Sequence, residues 1–325
     1  MSSAVQLFNE IGYPATGLGD IIERAEMTKG ALYYHFESKE ALATAIIEEG
    51  SANLFEAFNR IRNSSAPALE RIIHGLFVVA DLLSTDMVAR SGLQLLRAFG
   101  LPVADTAIRD FGGQRVLCVE RFDRQLHPSG DWIMRLPQED FCQVHGLPPT
   151  RKYEADGGPG VADIARILAG SERAREDVAT LLQAQILFWL LAATDGHAKN
   201  FSLRLLPRGR FQLTPLYDVM SIWPIVGDAP NQVSWQKAKL AMAVAGRNRH
   251  YLLKDIQRRH FDAMARRCGY EGGAEPLIEG ILARVPAAIE EVNGKLPAGF
   301  PQRVVDAIFA GVRESAGRLG RCPNQ

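Results

Sequence analysis

The chain has 325 residues, with 37 lysines and arginines against 37 aspartates and glutamates, so its formal net charge is zero. That length exceeds one ordinary small core and predicts two domains, while 47% apolar and 23% charged residues exclude a disordered chain. A neutral total means that any nucleic-acid contact must come from a local patch rather than from the field of the whole molecule. Cys118, Cys142, Cys268 and Cys322 stand far apart with no C-x-x-C pair, which predicts reduced thiols and a cytoplasmic setting rather than a disulfide scaffold or a zinc site. The longest apolar stretches, around 72–83 and 186–193, fall short of the roughly 20 residues a membrane span requires, and the opening Met-Ser-Ser-Ala has no signal-peptide character.

Leu7, Phe8 and Ile11 give a first helix an apolar face, stopped near Gly12. Thr16 is the expected cap of a second helix, with Asp20 in its first turns and Leu18, Ile21, Ile22 and Ala25 on its apolar face. Thr28 is the expected cap of a third, in which Leu32 and Phe36 stand one turn apart and point inward, leaving Tyr33, Tyr34 and His35 outside. Ser38 caps a longer fourth helix, so Lys39 falls in its first turn beside free N–H groups, a place suited to a phosphate. From spacing, two readings stand: a helix-turn-helix whose third helix enters a major groove, or an ordinary three-helix core with a solvated face.

The run Thr28-Lys29-Gly30-Ala31-Leu32-Tyr33-Tyr34-His35-Phe36 with Ser38-Lys39-Glu40-Ala41-Leu42, preceded by Gly12-Tyr13, Thr16 and Ile21-Ile22, resembles the DNA-binding domain of TetR-family repressors. The resemblance implies a three-helix head that binds double-stranded DNA through Thr28, Lys29, Gly30, Tyr33, Tyr34, His35 and Lys39, and a homodimer that reads two half-sites. Against it stands an acidic head: Glu10, Asp20, Glu23, Glu26, Glu37, Glu40, Glu48 and Glu49 face only Arg24, Lys29 and Lys39 in the first fifty residues, which weakens phosphate attraction. Residues 38–61 and 66–85 read as two long helices, which in such a repressor open a larger core; the pattern changes near Arg90.

Beyond it, Val116-Leu117-Cys118-Val119 and Trp132-Ile133-Met134-Arg135-Leu136 read as two strands of a hairpin turned at Pro128-Ser129-Gly130-Asp131. Helices are expected near 139–145 and over 172–193, the second apolar nearly all round and hence buried. Thr194-Asp195-Gly196-His197-Ala198-Lys199-Asn200 follows, then strands at 201–205 and 211–213 joined at Pro207-Arg208-Gly209, then Leu216-Tyr217-Asp218-Val219. A buried helix, a D-x-x-x-x-N loop, a hairpin and a second Asp follow the order of a kinase centre; alone, the D-x-x-x-x-N spacing also fits a solvated loop. Phosphate transfer needs a carboxylate for the attacking hydroxyl, met by Asp195, and oxygen ligands for magnesium, met by Asn200 and Asp218.

Val119-Glu120-Arg121-Phe122-Asp123-Arg124, Gln138-Glu139-Asp140-Phe141-Cys142-Gln143, Lys152-Tyr153-Glu154, the stretch 194–201, Leu216-Tyr217-Asp218-Val219 and Lys239-Leu240-Ala241-Met242 resemble the C-terminal region of HipA-family serine/threonine kinases, over about 93–320. The resemblance implies ATP and magnesium as cofactors, a protein substrate, an antitoxin partner, an adenine hinge over 120–122 with Glu120 and Phe122, catalytic Asp195, and metal ligands Asn200 and Asp218. His197 either touches phosphate or structures the loop. Gly157-Gly158-Pro159-Gly160 reads as a turn, since no Lys-Ser/Thr follows it. Upstream of the hinge there is neither a glycine-rich loop nor a strand lysine; no lysine occurs between Lys39 and Lys152, and Arg97 and Arg109 are the cations left to stand in. The expected fold is mainly helical with small β-hairpins: a helix-turn-helix over 1–45, two truncated repressor-type core helices over 46–90, and a kinase-like lobe over 91–320.

Overall fold

The computed structural model describes residues 3–4, 7, 16–25, 27, 30–32, 36, 38–39, 41–42, 86–111, 114–228, 232–296 and 300–321. They divide between two compact units, Met1–Ser84 and Thr85–Gln325.

In the first unit, α1 spans Leu18–Arg24 and ends at Ala25, where its apolar face ends. Its N-cap is Gly17, not Thr16: the Asp20 carboxylate reaches back to accept the Gly17 N–H at 2.7 Å. Thr16 is buried and its hydroxyl donates to the Leu7 carbonyl at 3.4 Å, so it ties neighbouring segments together instead of capping. Ala4, Leu7, Ile21 and Leu42 form a small core with Leu18 and Phe36 against it, and Leu32 is buried as its spacing predicts. Ser38 does cap, accepting the Ala41 N–H at 3.1 Å. Lys39 is directed inward, its ammonium donating to the Thr16 carbonyl at 3.0 Å. Gly30 is helical and exposed, with open space beside it. The first helix end at Gly12, the cap at Thr28, the outward residues Lys29, Tyr33, Tyr34 and His35, and nearly all of the two long helices lie outside the described residues.

The second unit opens with α2, Asp86–Ala98, which buries Leu93, Leu95 and Leu96 in the main core. Gly92 lets α2 lie against the backbone after Asp218: a Cβ there would stand 2.2 Å from the Val219 oxygen. Next come β1, Thr106–Phe111, and β2, Gln114–Val119, paired antiparallel, then β3, Arg124–Leu126, and β4, Ile133–Arg135, paired in a second hairpin. The single hairpin expected between 116–119 and 132–136 is therefore two. The turn was placed correctly, but it is tight, with Gly130 at φ 80°, so β4 folds back on the strand immediately before the turn and sets Ile133 opposite Leu126.

β5, Gln138–Asp140, precedes the short α3, Phe141–Val144. Asp140 caps α3 by accepting from Cys142 and Gln143, which leaves Glu139 in the strand rather than in the helix expected there. α4, Val161–Leu168, packs on α5, Ala174–Leu190, a central helix buried almost all round. β6, Ser202–Leu205, lies between β5 and β7, Phe211–Leu213, in a three-stranded antiparallel sheet; its link bends where Arg208 and Gly209 take φ of 65° and 72°. β8, Lys239–Ala245, pairs with β9, Arg249–Leu252, and three helices close the chain: α6, Arg258–Arg267, α7, Glu275–Lys295, and α8, Gln302–Gly320. The fold is mainly helical with small antiparallel hairpins. On α5 the buried Gln185 Nε2 and Trp189 Nε1 donate to the carbonyls of Met242 and Leu253, both at 2.9 Å. Among the described residues no helix is long and apolar enough to cross a membrane.

Candidate active site

The loop after α5 is shaped by its neighbours. Ala192 turns the chain out of the helix with φ 48°, and Ser221 holds the Leu191 carbonyl at 2.6 Å. Gly196 lies flat on the buried Phe188, where a Cβ would fall 2.4 Å from the ring, so glycine is required between Asp195 and His197. His197 then caps a 3₁₀ turn, Ala198–Asn200.

This turn brings three of the expected groups together. The buried Asn200 accepts the His197 N–H at 3.0 Å and donates from Nδ2 to the Asp218 carboxylate at 3.1 Å and to the Asp218 carbonyl at 3.4 Å. Asp218 is exposed and adopts the left-handed conformation, φ 57°, a strained setting that turns it out of the chain path toward Asn200. Asp195 is also exposed; its Oδ1 accepts the Tyr153 hydroxyl at 2.7 Å, and its Oδ2 stands 3.9 Å from His197 Nε2. Burial lowers the His197 pKa below its ordinary value, so the ring is neutral at pH 7, with Nδ1 buried and without a hydrogen-bond partner among the described residues.

Around this centre the polar groups are clamped. Lys199 donates to Asp140 Oδ2 at 2.6 Å, Tyr217 donates to the Lys199 carbonyl at 2.7 Å, and Ser202 and Tyr217 share a 2.5 Å hydrogen bond. Burial pushes the Tyr217 phenol up to about 12, so it remains a donor. The residues expected to form a hinge reach the same edge: the Phe122 ring stands 5.8 Å from Tyr217, next to Asp218, and Arg204 donates to the Phe122 carbonyl at 3.3 Å. Glu120 is exposed, its N–H bonded to the Asp105 carbonyl at 2.7 Å. Asp123 is buried under a two-bond clasp from Arg121, both bonds 2.7 Å, which with Arg124 holds its carboxyl below the usual range and fixes the chain after the hinge.

The donor set fits magnesium. Asn200 and Asp218 stand side by side through the amide Nδ2, so the Asp218 carboxylate and the remaining lone pair of Asn200 Oδ1, which already accepts the His197 N–H, are the hard oxygens that would hold the ion; a magnesium ion at a phosphate site takes one or two protein oxygens with the rest from phosphate and water. Of the arginines considered as replacements for a strand lysine, Arg97 is committed to the carbonyls of Val103 and Ala104 and to Asp105 at 2.6 Å, and Arg109 is exposed on β1. Sequence reasoning assigned no role to Tyr153, Asp140 or Tyr217; their contacts span 42, 59 and 18 residues, and no local spacing signals them.

Fold and centre together describe the C-terminal lobe of a kinase-like protein: buried helix, polar loop, hairpin and second aspartate in that order. Comparison with known proteins agrees. Residues 90–292, more than half of the chain, match the HipA-like C-terminal domain, and the chain belongs to that family. Residues 1–46 match the bacterial regulatory proteins of the tetR family. The serine/threonine-protein kinase toxin HipA of Shewanella oneidensis is 34% identical over 141 residues, which are 40% of this chain and 32% of that protein. The A-factor receptor protein of Streptomyces griseus is 34% identical over 95 residues, 29% of this chain and 32% of that protein. The structure of a HipA, HipB and operator DNA complex from Shewanella oneidensis shares the fold, with a TM-score of 0.61 and 24% identity over 73% of this chain and 55% of that one. The chain thus spans about a third of the length of these curated relatives.

Proposed function

We propose that the C-terminal module transfers the terminal phosphate of ATP to a serine or threonine hydroxyl of a protein, and that the N-terminal head binds double-stranded DNA. The observation that carries the first part is the convergence of Asp195, Asn200 and Asp218 around one turn, with both carboxylates open to solvent. Asp195 Oδ2 accepts the proton of the attacking hydroxyl while Oδ1 is held by Tyr153. Asn200 and Asp218 hold magnesium, which neutralises phosphate charge when bound. Residues 120–122 receive the adenine beside Phe122. An antitoxin partner, as the relatives' names suggest, belongs to the same reading. Asp195→Ala tests it: phosphate transfer is lost while the melting profile is kept, and transfer that survives the change removes the reading.

A second reading is favoured by the commitment of Arg97 and Lys199 to structural contacts. In it the lobe binds nucleotide without transferring phosphate, and the chain acts as a DNA-binding regulator. It predicts specific DNA retention that is lost in Tyr34→Ala, together with no transfer to any protein hydroxyl.

A further inference from the structure

A kinase-like centre needs a positive charge on the phosphate side, and two cations that sequence or position offers are spent elsewhere: Arg97 on Asp105 and two carbonyls, Lys199 on Asp140. A third basic residue arrives from a different part of the chain. The segment carrying Lys152 and Tyr153 runs between two short 3₁₀ turns, Pro149–Arg151 and Glu154–Asp156, and it is pinned on both sides. The Glu154 side chain is largely covered, accepts the Ala243 N–H from β8 at 2.7 Å and pairs with Arg249 at 3.4 Å. The glycine run folds over the other side: Gly157 takes φ 89°, the Gly158 N–H donates to the Tyr153 carbonyl at 2.9 Å, and a Cβ on Gly158 would meet the Arg151 oxygen at 2.4 Å. Its glycines thus serve the backbone of 151–153 and, through Gly160, the cap of α4.

Held this way, Tyr153 donates to Asp195 at 2.7 Å and sets its ring edge-on to His197 at 5.3 Å. The Lys152 ammonium lies 4.8 Å from the centre of the Tyr153 ring and makes no ion pair among the described residues. We propose that Lys152 is the cation facing the transferred phosphoryl group and that Tyr153 positions Asp195 beside it. This rests on the kinase reading above and supplies the phosphate-side charge which that reading lacks upstream of the hinge. In the step served, the substrate hydroxyl oxygen bonds to the γ-phosphorus and the bond from that phosphorus to the β–γ bridging oxygen breaks. The bond's electron pair leaves with ADP, and the hydroxyl proton passes to Asp195. The hydrogen bond to Asp195 pushes the Tyr153 phenol above its ordinary value, so it stays a donor through neutral pH.

Calorimetric titration of the full chain with magnesium–ATP and, separately, magnesium–ADP distinguishes this inference from the reading it rests on. The wild-type chain binds ATP more tightly than ADP; Lys152→Ala weakens ATP by about tenfold or more with ADP unchanged, since a charged contact to the γ-phosphate is lost. Lys152→Arg recovers part of the difference. Tyr153→Phe leaves both affinities unchanged and alters the pH profile of transfer, which a merely structural tyrosine would not do. If the wild type binds ATP and Lys152→Ala and Lys152→Gln keep its ATP-to-ADP ratio, the inference is overturned and the kinase reading stands; equal loss of both nucleotides also overturns it. If the wild type binds neither, both fall.

Discussion

Asp195 and Asp218 are exposed carboxylates held by neighbours rather than by burial, so on the proposed function replacing either alters the chemistry without removing core. Asp195→Ala is expected to reduce transfer by about a hundredfold or more, the usual worth of a positioned base, with an unchanged thermal midpoint by circular dichroism. Both carboxylates were legible in the sequence because D-x-x-x-x-N spacing and a following aspartate describe one turn and the strand pair behind it. Tyr153 was not, since its contact with Asp195 depends on how the glycine run folds, a tertiary matter that spacing does not carry. Thr16 shows the same limit in the head: it has the residue type for a cap, yet it is buried with its hydroxyl on the Leu7 carbonyl, and Gly17 takes the cap.

Elements were readable where one local signal decided them. α5 followed from an apolar run longer than a strand allows, and the β6–β7 link from Pro207-Arg208-Gly209. Strand pairing over 106–135 was not decided locally, because four strands pair two by two, β1 with β2 and β3 with β4, and only the tightness of the turn sets β4 on β3. Glycines at close approaches give a direct test of the loop geometry. Gly196→Ala drives a methyl into Phe188 and is expected to cost about 1–3 kcal/mol in chemical denaturation, with transfer reduced as Asp195 is displaced. A wild-type midpoint in that variant would contradict the packing described. Between β9 and α6, His250 and His260 stack with ring centres 3.7 Å apart. Burial, then the neighbouring His250, lowers the His260 pKa below its ordinary 6.5, so the unfolded chain binds the extra proton. The associated stability is fully present above pH 6.5 and is lost as pH falls through the lowered value. The thermal midpoint should drop on acidification from pH 7.5 toward 5.5, and less steeply in His260→Phe.

At the scale of the molecule, two units of different kinds share one chain of zero net charge. The acidic balance of the head predicts DNA binding that is weak and strongly salt-dependent, measurable by retention at low ionic strength and lost in Tyr34→Ala. The second compact unit, Thr85–Gln325, opens with α2, which buries Leu93, Leu95 and Leu96 in its core. On the proposed function the second unit is a nucleotide-binding catalytic lobe. Its most direct test is calorimetric binding of magnesium–ATP to the purified chain, with Asp218→Ala as the control. Micromolar binding by the wild-type chain that is lost in the control is expected; absence of binding, or binding that Asp218→Ala leaves unchanged, would contradict the proposed function.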